Sequence, residues 1–176
     1  MLLRLSITEP RTAHDFGEVR ALFREYAASL PMDLSYQDFE AELAALPGFY
    51  APPKGTLLIA SGPSGEVLGC VGVRPLEAPG VCEMKRLYVR PAGRGSGAGR
   101  ALAQAALAFA EAAGYRQMVL DTLPGADDGD RALPHAGLLR DPALLAEPDP
   151  GPLFRQAARL REPPRRQQLG RRPQSD

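Results

Sequence analysis

The 176-residue sequence predicts an α+β domain over residues 1–123, followed by a segment of different character. Three observations carry this expectation. Apolar residues recur at helical spacing near the N-terminus, three short β-type runs then follow one another through tight turns, and a glycine-rich loop opens directly into another helical stretch. The length suits a single domain with its own core, and 44% hydrophobic and 24% charged residues lie in the ordinary globular range.

Residues 2–7 alternate apolar and polar, with Leu3, Leu5 and Ile7 on one side, as in a half-buried strand. Asp15 and Glu18 then resemble a capping box ahead of Phe16, Val19, Leu22, Phe23, Tyr26 and Leu30, a helical series that Pro31 closes. Ser35 and Asp38 signal a second helix carrying Phe39, Leu43 and Leu46, which Pro47-Gly48 ends. Residues 56–61, 66–76 and 81–89 read as three strands, separated by Gly62-Pro63-Ser64-Gly65 and Pro79-Gly80. Such short connections favour an antiparallel meander. A helix with Leu102, Ala105, Ala106, Phe109 and Ala113 on one face follows the glycine-rich loop and stops at Gly114. Gln117–Thr122 is a buried-type strand, which completes the order β-α-α-β-β-β-loop-α-β.

The chemistry concentrates in the loop Arg94-Gly95-Ser96-Gly97-Ala98-Gly99-Arg100. Glycine permits positive φ and close approach of a ligand to the main chain. The first turn of the following helix presents unpaired N–H groups at the positive end of its dipole, so the junction suits phosphate. Arg94 and Arg100 flank it and can add charge-assisted contacts. A Walker loop would end in Gly-Lys-Ser/Thr, which is absent, and the glycines lack the G-x-G-x-x-G spacing of a dinucleotide fingerprint. The pattern Arg/Gln-x-x-Gly-x-Gly/Ala after a strand does fit, as Arg94-x-x-Gly97-x-Gly99.

Residues 83–107, EMKRLYVRPAGRGSGAGRALAQAAL, resemble the central motif of the GNAT N-acetyltransferase superfamily, and the upstream element order is similar over about residues 2–122. The resemblance implies a mixed sheet flanked by helices and acetyl-CoA as co-substrate, with no metal. In that family the loop amides bind the CoA pyrophosphate and the preceding strand pairs with the pantetheine arm. Matched by position, this implicates Leu87, Tyr88 and Val89 on the strand and residues 94–100 in the loop. It also implies direct attack by an amine, with a carboxylate as base and a tyrosine as acid. Strand alternation puts Val81, Glu83, Lys85, Leu87 and Val89 on one face, which makes Glu83 the candidate base. The alternative for Glu83 is a surface ion pair with an arginine of the neighbouring strand. The expected acceptor is a primary amine on a small metabolite or amino-acid-like molecule.

Residues 124–176 depart from the family. Nine of the 18 prolines fall there, Phe154 is the one aromatic residue, and neither helical period nor strand alternation is visible. The family's A-x-x-L-Y-x-x-L-G-F helix, which carries the acid tyrosine, is missing, and Tyr115 is not at the matching position. Taken as written, this stretch is a disordered Pro/Arg-rich tail that leaves the sheet unfinished, with an exposed edge and weak stability. Codon arithmetic offers another account. Allowed GC-rich codons for residues 127–151, read one base later, make TTAIALYRTLGFFETPPYWRNPIPG available, which contains the missing pattern. The functional alternatives are therefore a catalytically impaired acyl-CoA-binding protein or a frameshifted product.

Composition narrows the partners further. Basic and acidic residues balance at 21 each, so neither nucleic acid nor an anionic membrane is expected as a partner. No apolar run approaches the roughly 20 residues that span a bilayer. Two cysteines and two histidines form neither a disulfide framework nor a metal cluster. The expectation is a cytoplasmic protein, as a monomer or homodimer.

Overall fold

A computed structural model of the chain describes residues 5–30, 38–122 and 154–160. Its elements are β1 (Ser6–Thr8), α1 (Ala13–Ser29), α2 (Phe39–Ala45), β2 (Thr56–Ser61), β3 (Val67–Pro75), β4 (Val81–Val89), α3 (Ala98–Ala112), β5 (Gln117–Thr122) and β6 (Phe154–Arg159). The six strands form one mixed sheet in sequential order. Only β4 and β5 run parallel, and α3 is the crossover between them. The α+β class and the meander of β2, β3 and β4 are as the sequence predicts.

Helix α1 starts three residues earlier than the Asp15–Glu18 pairing suggests. Thr12 is the N-cap and Asp15 the third helical residue, each side chain bonding the other's backbone N–H. This is a capping box with aspartate in place of the usual glutamate. The backbone N–H groups of Arg11 and Thr12 hold the Asp15 carboxyl below its ordinary range. The predicted inward series is observed: Val19, Leu22 and Phe23 are fully buried.

The sheet separates two apolar layers. On one side, Leu102, Ala103, Ala106 and Ala110 of α3 pack against Leu58, Val71, Val73, Cys82, Met84 and Met118. On the other, α1 and α2 cover Leu57, Ile59 and Cys70. Small residues along α3 let the helix lie close to the sheet, which dispersion rewards. Both cysteines are free and buried, and burial pushes the Cys82 thiol up to about 12.

The expectation of no strand beyond residue 124 is corrected by β6. It pairs antiparallel with β5 from Gln117↔Arg159 to Thr122↔Phe154, so the outer edge of β5 is covered. The Leu160 N–H then donates to the Arg116 carbonyl, and its side chain packs against the α3-side core. The sequence FRQAAR carries no clean alternation, because edge pairing draws on backbone groups that every residue has. The rest of 124–176, including the segment of the proposed frame shift, lies outside the described residues.

Candidate active site

The loop after β4 is built from two short turns. Pro91–Gly93 forms a single 3-10 turn, and Gly95 and Gly97 then take φ of 78° and 88°. Gly97 is the N-cap of α3 and provides no side-chain cap. Ser96 takes that role in part: its hydroxyl donates to the Gly93 carbonyl at 2.6 Å and accepts from the Ala98 N–H at 3.3 Å. Arg94, Gly95, Gly97 and Arg100 are exposed, while Ala98 is anchored in the core. Ser96 occupies the Ala98 N–H, and the other donors of the first turn lie at the positive end of a 15-residue helix.

Strand β4 leads into this loop with one edge open. It pairs with β5 only from Val81 to Met84, and among the described residues its remaining half has no partner on that side. The Tyr88 carbonyl is turned toward β3, against Gly69. Alternation between Tyr88 and Arg90, whose N–H donates to the Leu68 carbonyl, therefore directs the N–H and C=O groups of Val89 to the open edge, with Leu87 beside it at the bulge. Their side chains pack toward α3. Tyr88 faces α1 and meets the Tyr26 ring edge-on at 6.2 Å between centroids.

A β-bulge divides β4. Cys70 faces Tyr88 and Gly72 faces Lys85, so one residue of β3 opposes two of β4. Arg86 absorbs the extra residue at φ 57°, a conformation that costs a non-glycine residue roughly 1–2 kcal/mol. The bulge corrects the predicted single face. Glu83 and Arg86 lie on the α1/α2 side, whereas Leu87 and Val89 lie on the α3 side. A strict two-residue period cannot survive an inserted residue.

The bulge is held by charge. Arg86 is 4% exposed and donates to both oxygens of Glu42 on α2, from Nη2 at 2.6 Å and Nε at 3.3 Å. Its guanidinium also lies over the rings of Phe39 and Tyr26. Tyr50 donates its hydroxyl to Glu42, and its ring fits beside β3 because residue 72 is glycine. Burial alone would raise the Glu42 carboxyl. The hydrogen bonds from Arg86 and Tyr50 outweigh it and hold Glu42 below the usual carboxylate range.

Glu83 is 2% exposed, so the alternative of a surface ion pair is wrong about the surface and right about the arginine. Arg74 of β3, its cross-strand partner, donates from Nε to Oε2 at 2.7 Å. Lys85 Nζ approaches Oε1 at 4.0 Å. Arg90, at the end of β4, reaches Glu25 and Glu18 on α1 and the Val67 carbonyl on β3. It ties the N-terminal helix to the point where the loop begins.

The whole motif, from the half-open strand to the helix entry, matches the acetyltransferase (GNAT) family over residues 18–135. The chain belongs to the GNAT family. A Schizosaccharomyces pombe protein described as an uncharacterized N-acetyltransferase is 43% identical over 119 residues, which cover 68% of this chain and 73% of that protein. Among solved structures, a Salmonella typhimurium protein determined with acetyl-CoA superposes with a TM-score of 0.64 at 18% identity, covering 90% of this chain and 95% of the other. Spermidine N-acetyltransferase of Vibrio cholerae, in complex with CoA and spermine, gives 0.59 at 13% identity over 89% and 93%. Acetyl transfer is accordingly the activity class, and among the described residues no helix is long and apolar enough to cross a membrane.

Within this GNAT domain, the strand and loop residues singled out from sequence form one continuous track from Leu87 to Arg100. Glu83 lies four residues before that track and on the α1/α2 side of the sheet. Sequence reasoning missed Glu42, Tyr50, Lys85, Arg86 and Arg90, and anticipated Arg74 only as an arginine of the neighbouring strand. Glu42 and Arg86 are 44 residues apart in sequence, so no local spacing could pair them. Tyr115 is employed elsewhere: its hydroxyl donates to the Lys54 carbonyl at 2.6 Å.

Proposed function

We propose that this GNAT protein transfers the acetyl group of acetyl-CoA to the primary amine of a small metabolite or amino-acid-like acceptor, by direct attack of the amine. The observation that carries the reading is the open edge of β4 leading, through the Pro91–Gly93 turn, into a helix N-terminus that Ser96 caps only in part. An extended amide arm suits the first and a pyrophosphate suits the second, and CoA carries both. Acetyl-CoA, when bound, supplies the activated thioester carbonyl. The N–H and C=O groups of Leu87 and Val89 hold the arm, with Tyr88 fixing the strand between them. Loop residues Arg94, Gly95, Ser96, Gly97, Ala98, Gly99 and Arg100 receive the phosphates through backbone N–H groups and two flanking guanidiniums. Glu83 takes the proton from the incoming ammonium, so that a neutral amine attacks. Calorimetric titration of the full chain with acetyl-CoA, followed by thiol-release assays with amine acceptors, tests this. Binding with turnover is expected, and absence of acetyl-CoA binding would overturn it.

A second reading is favoured by residues 124–176, which lack the tyrosine-bearing helix pattern of the family. On that reading the chain binds acyl-CoA without turning it over, or is a frameshifted product of a gene whose other frame encodes the helix. Acetyl-CoA binding without turnover, together with the nucleotide sequence across codons 120–155, separates these from the leading proposal.

A further inference from the structure

The α1/α2 face of β4 gathers the Glu42–Arg86 pair, the Glu83–Arg74 pair and Lys85, beside the cluster of Arg90, Glu18 and Glu25. Glu42 is saturated by Arg86 and Tyr50. Glu83 is engaged through Oε2 by Arg74. Lys85 is the remaining cation. Its side chain is 16% exposed, and its ammonium reaches only Glu83 Oε1, at 4.0 Å, beyond hydrogen-bond length. Two cations, Arg74 and Lys85, therefore flank the single carboxylate of Glu83, while Arg90 with Glu18 and Glu25 brings the charges of the whole face to balance. The ammonium itself keeps contact with solvent, so an anion entering there would replace water beside a charge whose stem is largely buried. Burial disfavours its charged form accordingly and lowers Lys85 from its usual value, while Glu83 opposes the shift.

We propose that the acceptor bears a carboxylate next to its amine, and that Lys85 binds that carboxylate while Glu83 receives the amine. This rests on the amine-acetylation reading above and specifies its substrate class. An α-amino acid carries both charges on one carbon, at a separation comparable to that between Lys85 Nζ and Glu83 Oε1. A polyamine offers only positive charge to the two cations that flank Glu83, and like charges brought together select against the wrong ligand. Lys85 is thus a specificity-determining residue, and its charge beside that of Arg74 is the device that turns polyamines away.

The test compares matched acceptors with the full chain: lysine against cadaverine, phenylalanine against phenethylamine, and spermidine alone. The expected result is a kcat/KM at least tenfold higher for each amino acid than for its decarboxylated partner. Lys85→Gln should erase that preference by lowering the amino-acid values alone, and Lys85→Arg should restore much of it. Equal or better use of cadaverine, phenethylamine or spermidine would overturn the proposal, as would a Lys85→Gln variant that weakens both members of a pair equally. Where no acceptor turns over, calorimetry of lysine and cadaverine on the CoA-saturated protein decides instead. Carboxylate-dependent binding that Lys85→Gln abolishes supports the proposal, and its absence refutes it. Failure to bind CoA in the first place would refute the acetyl-transfer reading rather than the acceptor class.

Discussion

Truncating Glu42 to alanine leaves the Arg86 guanidinium buried without a counter-charge, on a backbone already at φ 57°. The Arg86 side chain is 3% exposed and that of Glu42 15%. Removing one member of a buried pair costs roughly 3–5 kcal/mol, because the survivor stays desolvated. The partial exposure of Glu42 puts the expected loss near the lower end, about 3 kcal/mol. For a domain of this size that corresponds to a fall of about 6–12 °C in Tm. Calorimetry and urea unfolding of the wild type and variant measure it. Adding Arg86→Gly to Glu42→Ala removes the orphaned charge and the left-handed strain together, so the double variant should be more stable than Glu42→Ala alone. The pH dependence has a defined sign. Glu42 is depressed in the folded state, so its contribution is fully present above the ordinary value of 4.5 and is lost as pH falls through the lower folded value. Glu42→Gln should remove that acid-limb slope while keeping the side chain's shape. A Glu42→Ala loss below about 1 kcal/mol, or a double variant less stable than the single, would refute the claim that this pair holds the bulge.

Three further outcomes are expected. Gly97→Ala places a Cβ in open space but at φ 88°, so it should cost about 1–2 kcal/mol in urea unfolding and raise the acetyl-CoA Kd several-fold by calorimetry. Glu83→Gln should lower kcat by roughly 10²-fold or more with little change in acetyl-CoA Kd. An unchanged kcat would remove Glu83 from the proton transfer. Gly72→Ala would bring a Cβ to 2.8 Å from Tyr50 Cδ1 and closer still to Cε1. It should cost about 1–3 kcal/mol by overpacking, and it should flatten the acid-limb pH slope by pulling Tyr50 off Glu42, read from stability curves at pH 4 and pH 7.

The track from β4 through the glycine-rich loop illustrates how far a local pattern reaches. Residues 83–107 declare a strand, a glycine-rich turn and a helix entry within a single window, and every part of that expectation depends on neighbours in sequence. The strand limits at Thr56–Ser61, Val81–Val89 and Gln117–Thr122 were legible for the same reason. The capping box at Thr12 was displaced because two overlapping acid-spaced signals begin within three residues of each other, and only hydrogen-bond geometry chooses between them. Strand β6 was missed because edge pairing uses main-chain donors and acceptors that leave no mark on composition.

The amino-acid sequence alone determined the α+β class, the order of the elements up to Thr122 and the glycine-rich entry to α3, because each follows from short-range periodicity and from what glycine permits. Tertiary structure decided which side of the sheet each β4 residue serves, because one bulged residue at Arg86 resets the alternation and nothing in a non-glycine residue announces a positive φ. It also decided that Arg74 and Lys85 flank the candidate base and that Glu42 and Tyr50 gather around Arg86. Those side chains come from four separate segments, and only packing of α2 and β3 onto β4 brings their charges within reach of one another.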